Sequence, residues 1–211
     1  MIISIEGLGA SGKTSLLKEI QGESYFIIPE IRDAVQETGD KQKFSTDDSM
    51  TVKTNEWFLK IEEQRSTQAL QQSKIVLMER CFISQIAYNY AKDKILKTDF
   101  SKLLLQSIAN FKLVVPYVAY LKLSPLESRE RMLVRNKHNE KQNILNSIEN
   151  YTVEFNSHIF AYYENLKNVL QEKMLVIDSN LDTKVQANLF SAWQSVLKPH
   201  ILDIEIKELF F

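Results

Sequence analysis

Cysteine is almost missing. Cys81 is the only one in 211 residues, which excludes an internal disulfide framework and any cysteine-based zinc cage. The three histidines, His138, His158 and His200, are scattered, so no structural metal site is expected. No apolar run approaches the ~18–20 residues that cross a bilayer. An excess of one charge is lacking too. Lys and Arg total 26 against 27 Asp and Glu, a net charge of −1, so no basic surplus exists for stable nucleic-acid binding. With 44% hydrophobic residues and almost no net charge, disorder is excluded as the main state. Met1 opens straight onto an apolar segment, without the basic stretch and cleavage site of a secretory leader. The expectation is a cytoplasmic protein folded as a single domain over 1–211.

Glycine is also scarce, five in all, yet Gly7, Gly9 and Gly12 fall within six residues. Such clustering in a glycine-poor chain marks a loop where backbone must turn tightly or approach a ligand. Around it, short apolar segments alternate with helical patterns. Strands are expected at Met1–Glu6, Tyr25–Ile28, Lys74–Met78, Tyr117–Leu123 and Met174–Ile177. Helices are expected at Lys13–Ile20, Thr51–Gln72, Phe82–Lys92, Phe100–Asn110, Pro125–Val134, Ser147–Leu170 and Lys184–Leu197, with a short one at Ile31–Gln36 and a loop over Thr38–Ser49. Apolar stripes read as Leu16, Leu17 and Ile20 in the first helix. They read as Trp57, Phe58, Ile61 and Ala69 in the second long helix, and as Val185, Leu189, Trp193 and Val196 in the last. Alternating strands and helices predict an α/β three-layer sandwich on a five-stranded parallel sheet, with ligands beyond the C-terminal strand ends. The tail Ile201–Phe211 reads equally as a strand, a partner-binding segment or a core-covering helix.

Gly7-Leu8-Gly9-Ala10-Ser11-Gly12-Lys13-Thr14 matches the phosphate-binding loop G-x-x-x-x-G-K-[ST], between a strand and a helix as that loop requires. It predicts a P-loop nucleoside triphosphate hydrolase-type fold. Gly7, Gly9, Ala10, Ser11, Gly12, Lys13, Thr14 and Ser15 would cradle ATP, with Lys13 on the β/γ-phosphates and the Thr14 hydroxyl on Mg²⁺. A GTPase is disfavoured: the chain has no D-x-x-G, and Asn136-Lys137-His138-Asn139 lacks the carboxylate that reads guanine.

The third strand runs into Glu79-Arg80-Cys81-Phe82-Ile83-Ser84-Gln85-Ile86-Ala87-Tyr88-Asn89. This segment resembles the D-R-Y-x-x-S-x-x-A-Y-Q signature of thymidylate kinases and the E-R-S segment of deoxynucleoside kinases. Ile5-Glu6-Gly7-Leu8 resembles the F-E-G-L opening of thymidylate kinases, and Tyr120-Leu121-Lys122-Leu123-Ser124-Pro125 their Y-L-D-V-x-P strand end. Arg131-Met132-Leu133-Val134-Arg135-Asn136-Lys137 looks like the helix-to-lid segment of both families. The likeness runs discontinuously from Met1 to about Leu170. It implies a kinase that transfers the ATP γ-phosphate to a nucleoside hydroxyl or a nucleoside monophosphate, with a lid near 136–143 and a possible homodimer. A P-loop protein with a non-nucleoside acceptor, or with a regulatory role and no turnover, stays open beside it.

Departures weigh on the choice of acceptor. The aspartate that thymidylate kinases carry inside the loop is Gly9 here, and their R-E-P-G-G-T is replaced by Ile28-Pro29-Glu30-Ile31-Arg32-Asp33. Pro29-Glu30 looks more like deoxynucleoside kinases, which implies Glu30 as general base; a first-turn helix acid is its alternative. Glu79 at a strand end would hold Mg²⁺ through water, or else cap a helix or form a salt bridge. Arg80 would grip an acceptor phosphate or 5′ oxygen, or else pair with Glu79 or Glu30. Arg131 and Arg135, four apart, would lean over the γ-phosphate, or else form a solvated helix end. Arg65 would face the acceptor, as an arginine does in thymidylate kinases, or else lie on a solvated face. Phe58, Gln85 and Tyr88 would contact a base, though Phe58 and Tyr88 read equally as core residues. Cys81 reads as packing.

Overall fold

The computed structural model describes residues 1–31, 48–137, 152–198 and 204–211, the side chains of 48–52, 136 and 137 excepted. The expected short helix at Ile31–Gln36, the loop over Thr38–Ser49 and the lid at 136–143 therefore lie wholly or largely outside the described residues. Five strands form the sheet: β1 (Ile2–Gly7), β2 (Tyr25–Ile28), β3 (Ile75–Glu79), β4 (Tyr117–Lys122) and β5 (Met174–Asp178). Their order is β2-β3-β1-β4-β5 and every pairing is parallel. β1 leads to β2 on one side while β3 leads to β4 on the other, so the chain switches direction beside β1. In open parallel sheets ligands bind beyond the strand ends at such a point.

The helices are α1 (Lys13–Ile20), α2 (Asp48–Leu70), α3 (Phe82–Leu96), α4 (Phe100–Ile108), α5 (Pro125–Lys137), α6 (Val153–Leu170) and α7 (Thr183–Val196). α1 packs with α7, whereas α3 packs with α4 and α6, giving the three layers. All six residues of β1 are buried, as befits a central strand covered on both faces. α1 buries Leu16, Leu17 and Ile20 as its spacing predicts. α6 begins after Thr152, whose side chain accepts the Phe155 N–H as an N-cap; residues 147–151 of the expected helix lie outside the described residues.

Two stripes differ from expectation. The buried face of α2 carries Asn55, Leu59, Glu62, Arg65, Ser66 and Ala69. Trp57, Phe58 and Ile61 are only half-buried. Polar members of that face bond to neighbouring elements instead of facing water: Asn55 Nδ2 donates to Asn89 Oδ1 of α3 at 3.1 Å, and Ser66 Oγ accepts from the Val114 N–H before β4 at 3.4 Å. On α7 the buried residues are Gln186 and Phe190, while Val185, Leu189 and Val196 are exposed. Gln186 turns inward because its amide donates to the Leu181 carbonyl at 2.8 Å. The described end of the tail covers the core. A short 3₁₀ turn at Ile206–Leu209 buries Leu209, whose carbonyl accepts from Tyr162 Oη at 3.1 Å, and Phe211 stacks on the Tyr162 ring at 5.1 Å.

Candidate active site

The loop between β1 and α1 is shaped by its glycines. Gly7 sits at φ +145°, and a Cβ there would lie 2.7 Å from the Leu121 carbonyl oxygen of β4. The obstacle is strand backbone, which cannot give way. Gly7→Ala is therefore expected to distort the loop and lower ATP affinity at least tenfold in a calorimetric titration, an energy of about 1.4 kcal/mol. Gly9 lies against α5: a Cβ would meet the movable Met132 side chain, its Sδ at 2.6 Å, and Ser128 Oγ donates to the Gly9 carbonyl at 2.8 Å. The helix thus roofs the position where thymidylate kinases place an aspartate. On the other flank, Ser179 beyond β5 donates its hydroxyl to the Ser11 carbonyl. Gly12 precedes α1 with no side-chain cap, so no side chain of the cap residue competes for the first amides of that helix, a favourable end for an anion.

Lys13 folds into this loop and is 6% exposed. Its Nζ donates to the Leu8 carbonyl at 3.0 Å and lies 3.4 Å from the Gly7 carbonyl and from Ser11 Oγ. Burial, with Arg80 adding repulsion, lowers its pKa to about 7. The sign of the consequence is fixed. Between about 7 and 10.5 the folded chain holds fewer protons at Lys13 than the unfolded chain, so this residue's contribution to stability grows as pH rises through that window. A bound polyphosphate would reverse the bias and recharge the amine. We expect ATP binding at about pH 8 to take up close to one proton, and affinity to fall as pH rises further. Calorimetry in buffers of different ionisation enthalpy measures this; Lys13→Ala should abolish the uptake.

Next to the loop, Thr14 Oγ1 donates to Glu79 Oε1 at 2.6 Å. Glu79 ends β3 and is buried, and the N-cap of α3 is Cys81, which corrects the helix-cap alternative for Glu79. The following residue, Arg80, adopts φ 59°, a left-handed conformation rare for a side-chain-bearing residue. Its Nε lies 3.0 Å from Glu30 Oε1, its Nη1 donates to Ser84 Oγ at 3.2 Å, and its guanidinium stands 5.8 Å from the centre of the Tyr88 ring. The pairing with Glu30 that the sequence offered as an alternative is thus present. It joins the ends of β2 and β3, next to the Thr14–Glu79 contact.

Arg65 is buried, not on a solvated face. It pairs with Glu62 on the same helix, and its Nη2 lies 2.9–3.0 Å from the carbonyls of Pro29, Glu79 and Arg80. Its guanidinium therefore ties together the two strand ends that carry Glu30 and Arg80. Burial pushes the Glu62 carboxyl up to about 7 against the pull of Arg65. Gln85 is half-buried and donates to Asn55 Oδ1; Phe58 lies edge-on to Trp57, and Tyr88 stacks on Phe155 of α6. Arg131 donates to Asn180 Oδ1 just past β5 at 2.5 Å, and Arg135 one turn on is exposed. Both stand on the helix that roofs Gly9. Among the described residues no group of three or more His, Cys, Asp or Glu could hold a metal ion, and no helix is long and apolar enough to cross a membrane.

Sequence reasoning passed over Ser128, Ser179 and Asn180, which brace the loop and Arg131 from two other elements. It met Glu6 only as part of a family likeness. The one available signal was an acid inside a strand read as a core strand.

No family model and no curated protein matches the sequence. Solved structures do. Deoxyadenosine kinase from M. mycoides with products dCMP and a flexible dCDP bound superposes with a TM-score of 0.69 at 20% identity, over 93% of this chain and 100% of that one. The same enzyme with bound dATP gives 0.63 at 19% identity, over 92% and 100%. With bound dCTP it gives 0.65 at 18%, over 93% and 100%. Together with the five-stranded parallel sheet and its phosphate-type loop, these superpositions establish that the chain has the P-loop kinase fold found in those deoxyadenosine kinases.

Proposed function

We propose that the chain is an ATP-dependent kinase that phosphorylates the 5′-hydroxyl of a deoxynucleoside. The observation that carries this reading is the meeting of two pairs at neighbouring strand ends, Thr14 with Glu79 and Glu30 with Arg80, beside a lysine-filled phosphate loop. Mg·ATP supplies the transferable phosphoryl group and the metal charge. The donor set suits it: Mg²⁺ binds hard oxygens and takes few protein ligands, typically one or two carboxylates plus substrate phosphates and water. Thr14 and Glu79 provide one hydroxyl and one carboxylate. Lys13 and the amides at the start of α1 bind phosphate oxygens. Arg80 orients the acceptor's 5′ oxygen, and Glu30, fixed by Arg80, accepts the hydroxyl proton. Arg131 and Arg135 reach toward the donor from the roof helix. Phe58, Gln85 and Tyr88 contact the acceptor base, while Arg65 acts from behind by holding both strand ends.

A monophosphate acceptor is the second reading, and Arg80 is the residue that favours it, since a guanidinium grips phosphate in a fork. A screen of ADP release with Mg·ATP over deoxynucleosides, nucleosides and their monophosphates tests both. Acceptor-dependent release with at least one deoxynucleoside supports the proposal. Release only with monophosphates transfers it to the second reading, and ATP binding without acceptor-dependent release defeats both.

A further inference from the structure

Glu6 plays no part in the reaction as proposed, yet it is 0% exposed at the centre of the molecule. Four donors converge on its carboxylate. Ser4 Oγ at 2.6 Å and the Cys81 N–H at 2.8 Å reach Oε1. Ser84 Oγ at 2.5 Å and Tyr163 Oη at 2.7 Å reach Oε2. Two donors per oxygen use the acceptor capacity of a carboxylate in full. They come from three elements: β1, the start of α3, and α6.

What these bonds hold is the Arg80 turn. Its left-handed backbone is fixed from both sides, by the Arg80 N–H donating to the Ile5 carbonyl at 3.1 Å and by the Cys81 N–H donating to Glu6. The Ser84 hydroxyl gives its proton to Glu6 and so turns its lone pairs toward Arg80 Nη1 at 3.2 Å. One carboxylate therefore fixes both the backbone under Arg80 and the oxygen against which its guanidinium rests.

We propose that Glu6 is the positioning residue for Arg80, acting through Ser84 and the Cys81 amide, with Tyr163 coupling the docking of α6 to the arginine's aim. Its kinetic consequence rests on the kinase reading; its structural consequence does not. A carboxylate kept only to satisfy buried hydroxyls would affect stability and leave Arg80 where it is.

The test uses the full chain and Glu6→Gln, Ser84→Ala, their double variant and Tyr163→Phe. Glutamine keeps the shape but presents an amino group where Ser84 now donates. The first readout is the Arg80 Nε–H resonance in ¹⁵N-labelled protein, assigned by its loss in Arg80→Lys. Glu6→Gln and Ser84→Ala should shift it and speed its solvent exchange, and Tyr163→Phe should move it less in the same direction. The second readout is kinetic. Glu6→Gln should lower kcat about tenfold with the KM for ATP within about twofold, and the double variant should be no worse than Glu6→Gln, as expected of residues acting in one chain. An unchanged Arg80 resonance in folded Glu6→Gln overturns the proposal, as does a double variant whose losses multiply. If Glu6→Gln does not fold, Ser84→Ala and Tyr163→Phe decide on the same resonance. Absence of turnover in the unmodified protein counts against the kinase reading alone, because the resonance still rules on Glu6.

Discussion

Lys13→Ala is expected to lower kcat by about 10³-fold or more, the scale of removing a preorganised charge from a developing phosphoryl transition state. The fold should survive, because deleting this amine also removes a group whose burial is unfavourable. Burial is the main reason its pKa falls to about 7. The carbonyls of Gly7 and Leu8 that now accept from it are each backbone acceptors that a water entering the space left by the side chain can bond in its place. Activity and stability should therefore part company in this variant. The Tm should stay level or rise slightly at neutral pH while acceptor-dependent ADP release disappears. A Lys13→Ala enzyme with wild-type turnover would remove the phosphate loop from the mechanism.

Glu30→Gln separates the two acceptor classes. If the acceptor is a hydroxyl, its proton must leave as the bond to phosphorus forms, and a positioned carboxylate typically contributes ~10²–10⁴-fold. The amide cannot take that proton, so kcat on a deoxynucleoside should fall by about that range. The side chain keeps its length and can still present an oxygen to Arg80 Nε, now at 3.0 Å from the carboxylate, so the KM for the acceptor should change far less than kcat. A monophosphate arrives already ionised and needs no base. Full activity of Glu30→Gln on a monophosphate would make a base role for Glu30 untenable.

How much of this was legible in the sequence depended on distance along the chain. The phosphate loop is local: its glycines, Lys13 and Thr14 lie within eight residues, and the constraint that selects them is written contiguously. The positions of the strands along the chain followed from apolar segments, because a strand covered on both faces is largely apolar. The buried face of α2 was not legible. A helix stripe is read from hydrophobic spacing, and here Asn55, Glu62, Arg65 and Ser66 face inward instead. Their burial is offset by hydrogen bonds exchanged with partners on α3, on the loop before β4 and at two strand ends, and those partners are invisible from α2 alone. On α7 the same logic moved the face. Gln186 is buried on a carbonyl beside it, and Val185 and Leu189 are left outside.

Arg65 illustrates the cost of carrying a role by resemblance. A guanidinium at that place in the helix suggested an acceptor contact, whereas its Nη2 is aimed at three backbone carbonyls. Glu6 illustrates the reverse. It stood in plain view beside the loop, but its meaning depends on Cys81, Ser84 and Tyr163, the last of them 157 residues away.

Convergence of donor and acceptor on one cleft is the proposition from which the rest follows, and a bisubstrate probe addresses it most directly. Adenosine and the acceptor nucleoside found in the screen are joined through a chain of four or five phosphates, and the product is titrated against the protein with each substrate as competitor. A single cleft at the ends of β1, β2 and β3 predicts competition with both ATP and acceptor, and binding at least tenfold tighter than either, because the second half binds from an already tethered position. Competition with ATP alone, with no gain over ATP in affinity, would place the acceptor elsewhere and contradict it.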